Sequence, residues 1–311
     1  MSSGAILSLS TSAAVSSRIR FHNPKFYTRI QYPLSYSSFF QVNFGGNNRL
    51  SSIRRLHLSP NATSLELPLL PFNMGEVLVP SESKVLHLYE ARYLALLEES
   101  LLRRKKIFVH FVLDPILISS SGTEASFAAR HGCLVFIENV ERLDVGASVS
   151  IRGIGRVKIV KFLQLQSNPY LIGEIVPVKD WVPDDASKID SKLMSVKEAL
   201  YSLNSLEIKL KAPKEALLQT RIANSLTWAE KEPSLECDKA FIPSLAERIS
   251  FTALQPISGS TQSEMFKLQQ LKLRAMDVKE TLQRLDDSLE LVKENISIVA
   301  AKLAIQSLDV Q

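Results

Sequence analysis

The sequence predicts an α+β fold in which a curled β-sheet or partial barrel, with one short helix, precedes a helical bundle that ends in a long helix. Two observations predict it. Closely spaced segments rich in Val, Ile and Phe lie between residues 107 and 178, and one helical pattern precedes them. Helical patterns take over after residue 184, and the last of them contains neither Gly nor Pro. Strands without intervening helices favour a sheet that curls on itself over an alternating βαβ arrangement.

The pattern divides the chain into four segments. They are residues 1–65, a targeting or disordered segment; 66–183, a β-rich subdomain; 184–258, a helical subdomain; and 259–311, a long heptad-patterned helix.

The first segment has the composition of an organelle transit peptide. It carries seven basic residues, no acidic ones and many serines. Its first 17 residues are uncharged, which favours a chloroplast (stroma) over a mitochondrion, with a disordered tail as the third interpretation. Removing the seven from the chain's 37 basic residues leaves 30 against 32 acidic ones, a net charge of −2. The near-neutral charge of the rest of the chain therefore does not predict a surface that binds nucleic acid. The sequence also contains no apolar run long enough to predict a membrane span.

Residues 90–104 of the β-rich subdomain form the one helical pattern. Leu94, Leu97, Leu101 and Leu102 fall on its apolar face. Further along, Gly153 and Gly155 interrupt a strand pattern and predict a bulge or tight bend.

Beyond the linker around Trp181, residues 187–211, 213–231 and 240–255 predict three helices. A capping-box pattern at Thr261–Glu264 begins the last segment. From Leu268 to Leu303, apolar residues follow at alternating steps of three and four. This seam predicts either a coiled coil that joins two copies of the chain or one helix packed on the three helices before it.

Motifs of catalysis are absent from the sequence. It contains no G-x-x-x-x-G-K-[ST], H-E-x-x-H or G-x-S-x-G, and its two cysteines, Cys133 and Cys237, are too few for a structural zinc site of the four-cysteine type. We therefore assign no catalytic, cofactor-binding or metal-binding residue and predict that the chain is not an enzyme.

Several short motifs, taken in order, resemble the LON substrate-binding domain. These are "LPLLPF", "VLHLYEARYLALLEESL", "HGCLVFIENVERLDVGASVSIRGIGRVKIVKF" and "PYLIGEIVPVKD". This domain occurs at the N-terminus of ATP-dependent Lon proteases, in cereblon and as free-standing proteins, and the resemblance covers about residues 66 to 300. Ala91 replaces the usual Pro of the helix start, and "MGEVLVPSES" replaces the usual loop. The matching positions are Leu67, Pro68, Leu69, Pro71, Glu90, Arg92, Tyr93, Gly132, Ile137, Gly153, Arg156, Tyr170 and Glu174.

The resemblance implies structural roles for five motif residues. They are Glu90, Arg92, Tyr93, Gly153 and Arg156. We expect Glu90 and Arg92 to anchor the helix to the sheet, with Arg156 as the partner of Glu90, and Tyr93 to pack under the sheet.

The resemblance also implies a non-catalytic protein-binding module, an adaptor or substrate-recognition factor in plastid protein quality control. Its partners would be client proteins or a plastid protease or chaperone, with a homo-oligomer through Leu268–Leu303 as a further expectation. Phe72, Met74 and Val77 are the candidate client contacts, and core packing is the alternative for them. Two other functions stay open: a peptidase of the Lon type, and a dedicated assembly factor for one plastid complex.

Overall fold

A computed structural model gives the fold. It describes residues 18–23, 26–31, 41–43, 63–116, 126–163, 168–181, 186–211, 220–231 and 235–308. Three short strands, β1 (Arg18–Asn23), β2 (Phe26–Gln31) and β3 (Gln41–Asn43), lie in the first segment. The transit-peptide interpretation of that segment stays a prediction.

The β-rich part follows the predicted order of strands around one helix. Its elements are β4 (Leu65–Asn73), β5 (Ser83–Leu88), α1 (Ala91–Arg103), β6 (Ile107–Ile116), β7 (Ser126–Arg142), β8 (Ala147–Leu163) and β9 (Leu171–Pro177). The helix predicted at 90–104 is confirmed, but its buried face is displaced. Tyr93, Leu96 and Leu97 are buried, whereas Leu102 is 74% exposed.

The sheet curls into a partial ring, which confirms the predicted partial barrel. The strand order is β3-β2-β1-β7-β6-β4-β9-β8-β5, and β7 also pairs with β8. β4 runs parallel to β6 and antiparallel to β9, so it lies in the interior of the sheet. Leu67, Leu69 and Leu70 of β4 are accordingly buried, as the Leu-rich sequence of an interior strand requires.

The bulge expected at Gly153 and Gly155 lies elsewhere, because β8 continues through both glycines. The register shifts instead between Ile159 and Lys161, opposite β9. Gly155 serves a close approach: a Cβ atom there would lie 2.5 Å from the carbonyl oxygen of Phe241. The gap in the strand pattern therefore marks a neighbouring backbone and not a bulge.

Five helices are present among the described residues of the helical part. They are α2 (Ala186–Lys211), α3 (Arg221–Glu230), α4 (Leu245–Thr252), α5 (Gln262–Asp277) and α6 (Thr281–Leu308). The first predicted helix is confirmed by α2. Of the second predicted helix, α3 is present with Thr220 as its N-cap, and residues 212–219 lie outside the described residues. A 3₁₀ turn at Lys239–Phe241 precedes α4.

The last segment corrects the prediction of one long helix over 259–311. The capping box at Thr261 and Glu264 is present, but α5 ends at Asp277 and Val278 is extended, with ψ 126°. A second helix, α6, then runs for 28 residues. The apolar spacing continues through the break, so the heptad pattern could not reveal it.

One apolar core joins α2, α3, α4 and α6. Leu285, Val292 and Val299 of the predicted seam are fully buried in it. The seam is thus used within the chain, which supports packing on the preceding helices over a coiled coil between copies. The other fully buried members include Val196, Leu200, Leu203, Ile222, Ala229, Ile249 and Ala253.

Contacts divide the chain into two compact units. Unit 1 comprises residues 1–74, 85–149 and 157–177. Unit 2 comprises residues 75–84, 150–156 and 178–311. Unit 2 therefore takes in two short pieces of the predicted β-rich subdomain besides all five helices.

Gly146→Ala should destabilise the protein by about 2 kcal/mol or more, because Gly146 has φ +87° and a Cβ there would lie 2.1 Å from the carbonyl oxygen of Leu88. Gly75→Ala is the matched control, since no atom lies within 4 Å of its Cβ position; its effect should stay within about 1 kcal/mol. Urea unfolding of both variants measures the difference. Equal free energies of unfolding would contradict this role of Gly146.

Candidate functional site

Exposed apolar side chains lie on β5 and directly after it. Leu86 and Leu88 of β5 are buried, whereas Val85 of the same strand and Tyr89, the first residue after it, are 40% and 43% exposed. β5 also ends the strand order, so one of its edges has no partner strand among the described residues. An edge position in the sheet and exposed apolar side chains therefore occur together at β5.

The turn between β7 and β8 adds two more apolar side chains. The amide of Leu143 donates to the carbonyl of Gly146 over 3.2 Å and closes the turn. Leu143 is 43% exposed and Val145 is 77% exposed. The Cβ position of Gly146 lies 3.0 Å from the Cα of Tyr89, so the turn lies directly against the end of β5.

We call Val85, Tyr89, Leu143 and Val145 the outer patch; all four belong to unit 1. Exposed apolar side chains that cluster on one surface are typical of binding sites for protein. β5 is the last strand in the sheet order, and edge strands are places where an extended polypeptide can add to a sheet. The outer patch can therefore contact a polypeptide. Its four residues do not include a nucleophile with an adjacent base, the pair that peptide cleavage would need.

The head of α1, which the sequence singled out, is a local structural device. The Glu90 carboxylate lies 2.6 Å from the Arg92 guanidinium. That guanidinium lies over the ring of Tyr93, 4.6 Å from its centroid, and Tyr93 is buried. Glu90 and Arg92 thus pair with each other, and Arg156, the partner expected for Glu90, is engaged in unit 2.

Two of the three residues predicted to contact clients are buried, which corrects the assignment for those two. Phe72 and Val77 are each 2% exposed, and Phe72 stacks on His110 with ring centroids 4.0 Å apart. Met74 is half-buried in a 3₁₀ turn. Phe72 and Val77 are therefore core residues. Core packing was the alternative interpretation of these two positions.

Main-chain and side-chain bonds hold the following residues, 79–82, within unit 2. Ser81 and Glu82 exchange backbone hydrogen bonds with Gly153, each of 2.9 Å. The Glu82 carboxylate accepts from Lys272, which is buried, over 2.5 Å. Burial lowers the pKa of Lys272, and the charge and hydrogen bond of Glu82 oppose that shift. The structural role that the motif implied for Gly153 stays a prediction.

Arg156 is the centre of a buried ionic cluster in unit 2. We define the ionic cluster as Arg156, Asp180, Glu247 and Arg284. The guanidinium of Arg156 donates to Glu247 over 2.9 Å and to Asp180. Arg284 also donates to Asp180, so one carboxylate bridges two guanidiniums. Two positive and two negative groups balance each other out of water, as buried charges require.

The cluster also explains why α5 ends where it does. Arg156 donates to the carbonyls of Met276 and Val278, and Arg284 donates to that of Val278 over 2.7 Å. The carbonyl of Lys279 accepts from the backbone amide of Trp181. These donors satisfy the carbonyls at the helix end, so the chain leaves the helix there without Gly or Pro.

The two acids of the cluster are shifted in opposite directions. Burial alone would raise the pKa of Asp180, but the hydrogen bond and charge of Arg284, with the charge of Arg156, lower it below the ordinary value. Burial raises the pKa of Glu247, and Arg156 offsets this only in part. Glu247 is more deeply buried than Asp180, the charge of Asp180 raises its pKa further, and it contacts one guanidinium where Asp180 contacts two.

A family model of the LON substrate-binding domain of ATP-dependent protease La matches residues 66–306. The chain belongs to this family. Comparison with curated protein sequences gave no match. Among solved structures, the chain is similar to the N-terminal domain of a Lon protease of the Mycobacterium avium complex, with 15% identity, a TM-score of 0.39, and 74% and 98% of the two chains covered. It is also similar to a Lon N-terminal domain protein from Xanthomonas campestris, with 16% identity, a TM-score of 0.37, and 72% and 96% covered.

Membership in the LON substrate-binding family indicates a protein-binding module. Within the described residues, no group of His, Cys, Asp and Glu side chains is arranged to hold a metal ion. No described helix is both long and apolar enough to cross a membrane.

Sequence reasoning missed most of the ionic cluster of this LON domain. Arg156 came from the family motif, but its partners Asp180, Glu247 and Arg284 lie in a linker and two helices. A signal was present in α6, where Arg284, Ser288 and Asn295 form a polar row at helical spacing beside the apolar seam, and all three are buried. The outer patch had a signal too, in the two-residue alternation of β5.

The two acids should give opposite pH dependences of stability. The folded pKa of Asp180 is lowered, so its contribution is present above about pH 4, its unfolded pKa, and is lost as the pH falls through the folded value. The folded pKa of Glu247 is raised, so its contribution is present below about pH 4 and is lost as the pH rises through the folded value.

Urea unfolding between about pH 2.5 and 7 measures this, with Asp180→Asn and Glu247→Gln as non-titrating variants. The stability advantage of the wild type over Asp180→Asn should shrink on acidification below about pH 4. Relative to Glu247→Gln, the wild type should lose stability as the pH rises above about 4. The same slope for both variants would rule out the opposed environments.

Proposed function

We propose that this LON domain protein is a non-catalytic substrate-recognition factor that holds unfolded segments of client proteins on the outer patch. The exposed apolar side chains on and beside the last strand of the sheet carry the proposal. Family membership supports protein binding in general, and the patch supports this particular place for it.

The physical basis is the match between the patch and an unfolded chain. An unfolded client exposes apolar side chains on an extended backbone, and Val85, Tyr89, Leu143 and Val145 offer apolar area to them. The edge of β5 can add main-chain hydrogen bonds that do not depend on the client's sequence. A recognition factor for many clients needs such sequence-tolerant contacts.

The variant Leu143→Asp/Val145→Asp should weaken the binding of fluorescently labelled casein by about tenfold or more, because each carboxylate would have to be desolvated against the client. Fluorescence anisotropy with the full chain measures the affinity. Leu102→Asp is the matched control: Leu102 is 74% exposed on α1, against 77% for Val145, and this variant should bind within about twofold of the wild type.

Two outcomes would contradict the proposal. Equal casein affinity of the patch variant and the control would exclude the outer patch as the client site. Cleavage of casein by the purified chain, with or without ATP, would instead support the peptidase alternative. No observation on the described residues favours that alternative.

We further propose that the protein works in the plastid, as an adaptor in protein quality control. The support is the composition of residues 1–65, which hold seven basic and no acidic side chains. A fluorescent protein fused behind these residues should accumulate in the chloroplast stroma of a plant cell. Accumulation in mitochondria or in the cytosol would overturn this location.

A further inference from the structure

A groove in unit 2 lies between α5, α6 and the segment that connects α4 to α5. Its walls are mostly apolar, and its rim carries the ion pair between Lys267 and Glu294, whose nitrogen and oxygen lie 2.7 Å apart. None of these residues belongs to the outer patch or the ionic cluster. The apolar lining residues are Pro256, Ile257, Leu268, Leu271, Leu291 and Ile298.

The groove contains a buried donor that lacks an acceptor. Gln255 is 3% exposed, and its Nε2 has no hydrogen-bond partner among the described residues. A buried amide without a partner costs about 1–3 kcal/mol. An occupant with an oxygen at this depth would remove that cost, so the groove is equipped to receive more than an apolar side chain.

The end of α6 supplies side chains of the kind that the groove accommodates. Residues 304–308 are all exposed, with Ile305 at 61% and Leu308 at 71%. Gln306 and Ser307, between them, carry side-chain oxygens. One wall of the groove and the exposed side chains that could fill it therefore both belong to α6. In a two-fold symmetric dimer, the end of α6 of each copy can fill the groove of the other.

The spacing along α6 supports this pairing. Leu291, Ile298 and Ile305 follow at seven-residue intervals, so Ile298 lies midway between a groove residue and an exposed one. If two α6 helices run antiparallel about Ile298, Ile305 of each copy lies at the height of Leu291 of the other. Ala301, about 60° around the helix from Ile298, is small and exposed, so it allows the two helices to approach closely.

We propose that two copies of this chain associate through antiparallel α6 helices centred on Ile298, with Ile305 and Leu308 of each copy in the groove of the other. The interface uses a different face of α6 from the buried heptad seam.

Charge complementarity favours a second copy as the occupant. The same two-fold arrangement brings Glu294 of each copy to the height of Lys302 of the other. The Oε1 atom of Glu294 accepts from Lys267, which leaves Oε2 for the partner. Between residues 288 and 308, no two like charges fall at the same height.

Sedimentation equilibrium of the full chain tests the proposal. The wild type should be a dimer at micromolar concentration, and Ile305→Glu/Leu308→Glu should be a monomer, because four carboxylates would enter the apolar grooves. Met194→Glu is the control: Met194 is 55% exposed on α2 of the same unit, away from the groove lining, and this variant should stay dimeric. Thermal melting by circular dichroism should show that all three fold, since the changed side chains are exposed.

A charge exchange tests the register independently of apolar contacts. Glu294→Lys and Lys302→Glu should each raise the dimer dissociation constant by about tenfold, because each creates like-charge pairs twice in the interface. The double variant Glu294→Lys/Lys302→Glu should recover to within about threefold of the wild type. Residues 294 and 302 are eight apart on one helix, about 12 Å, so recovery reports a contact between copies.

Three results would overturn the proposal. They are a monomeric wild type at about 100 μM, which would leave the groove to a helix of another protein; a dimer that survives Ile305→Glu/Leu308→Glu; and a double charge variant that is no tighter than the single ones.

Discussion

The fold of unit 2 depends on two buried guanidiniums. Arg156 and Arg284 are almost fully buried, and a buried guanidinium is costly unless anions or carbonyl oxygens accept its hydrogen bonds. The protein must therefore bring anions and carbonyl groups to them. Asp180 bridges both, Glu247 serves Arg156, and the carbonyl of Val278 accepts from each. These acceptors come from a linker, from α4 and from the end of α5, so satisfying two side chains fixes the mutual position of three elements. Hydrophobic burial alone would not fix it so uniquely, because apolar contacts lack direction.

The ionic cluster has a consequence for the helices. An apolar seam at heptad spacing is compatible with one straight helix, with a helical hairpin and with a coiled coil between chains. What separates these structures is where the carbonyls of Met276 and Val278 find donors. Arg156 and Arg284 provide them, and the α5–α6 turn forms at that point. The turn folds α5 back beside α6, and the groove lies between the two helices. The ionic cluster at one end of this helical hairpin therefore leads to the apolar groove along its length.

Much of the fold followed from the sequence, because periodicity reports burial directly. The curled sheet, α1, α2, the capping box at Thr261 and the core role of the heptad seam were all visible as patterns within short windows. The errors share a different physical cause. The break after Asp277, the partners of Arg156 and the use of Gly155 for close approach are decided by residues far apart in sequence, which no local pattern encodes. The candidate client contacts failed for a related reason. A Pro-bearing loop predicts an exposed segment, but Val77 is drawn into the core by what packs over it. The outer patch, in contrast, was readable as a two-residue alternation that continues to Tyr89.

The outer patch places four exposed apolar side chains on or beside an edge strand. An unpaired edge strand with outward apolar side chains is a liability, because it can pair with any other exposed edge and aggregate. Proteins limit that liability by keeping such strands short and by placing lysines on them, and β5 has six residues and carries Lys84. These measures weaken promiscuous pairing, but they leave Val85, Tyr89 and the turn at Val145 exposed. Replacing these residues with polar ones would have removed the liability at little cost to the fold, since surface substitutions seldom change stability by more than about 0.5 kcal/mol. A protein-binding surface must keep some exposed apolar side chains, even though they favour aggregation. The outer patch keeps them, so it is a better candidate for client contact than the buried residues that follow Phe72.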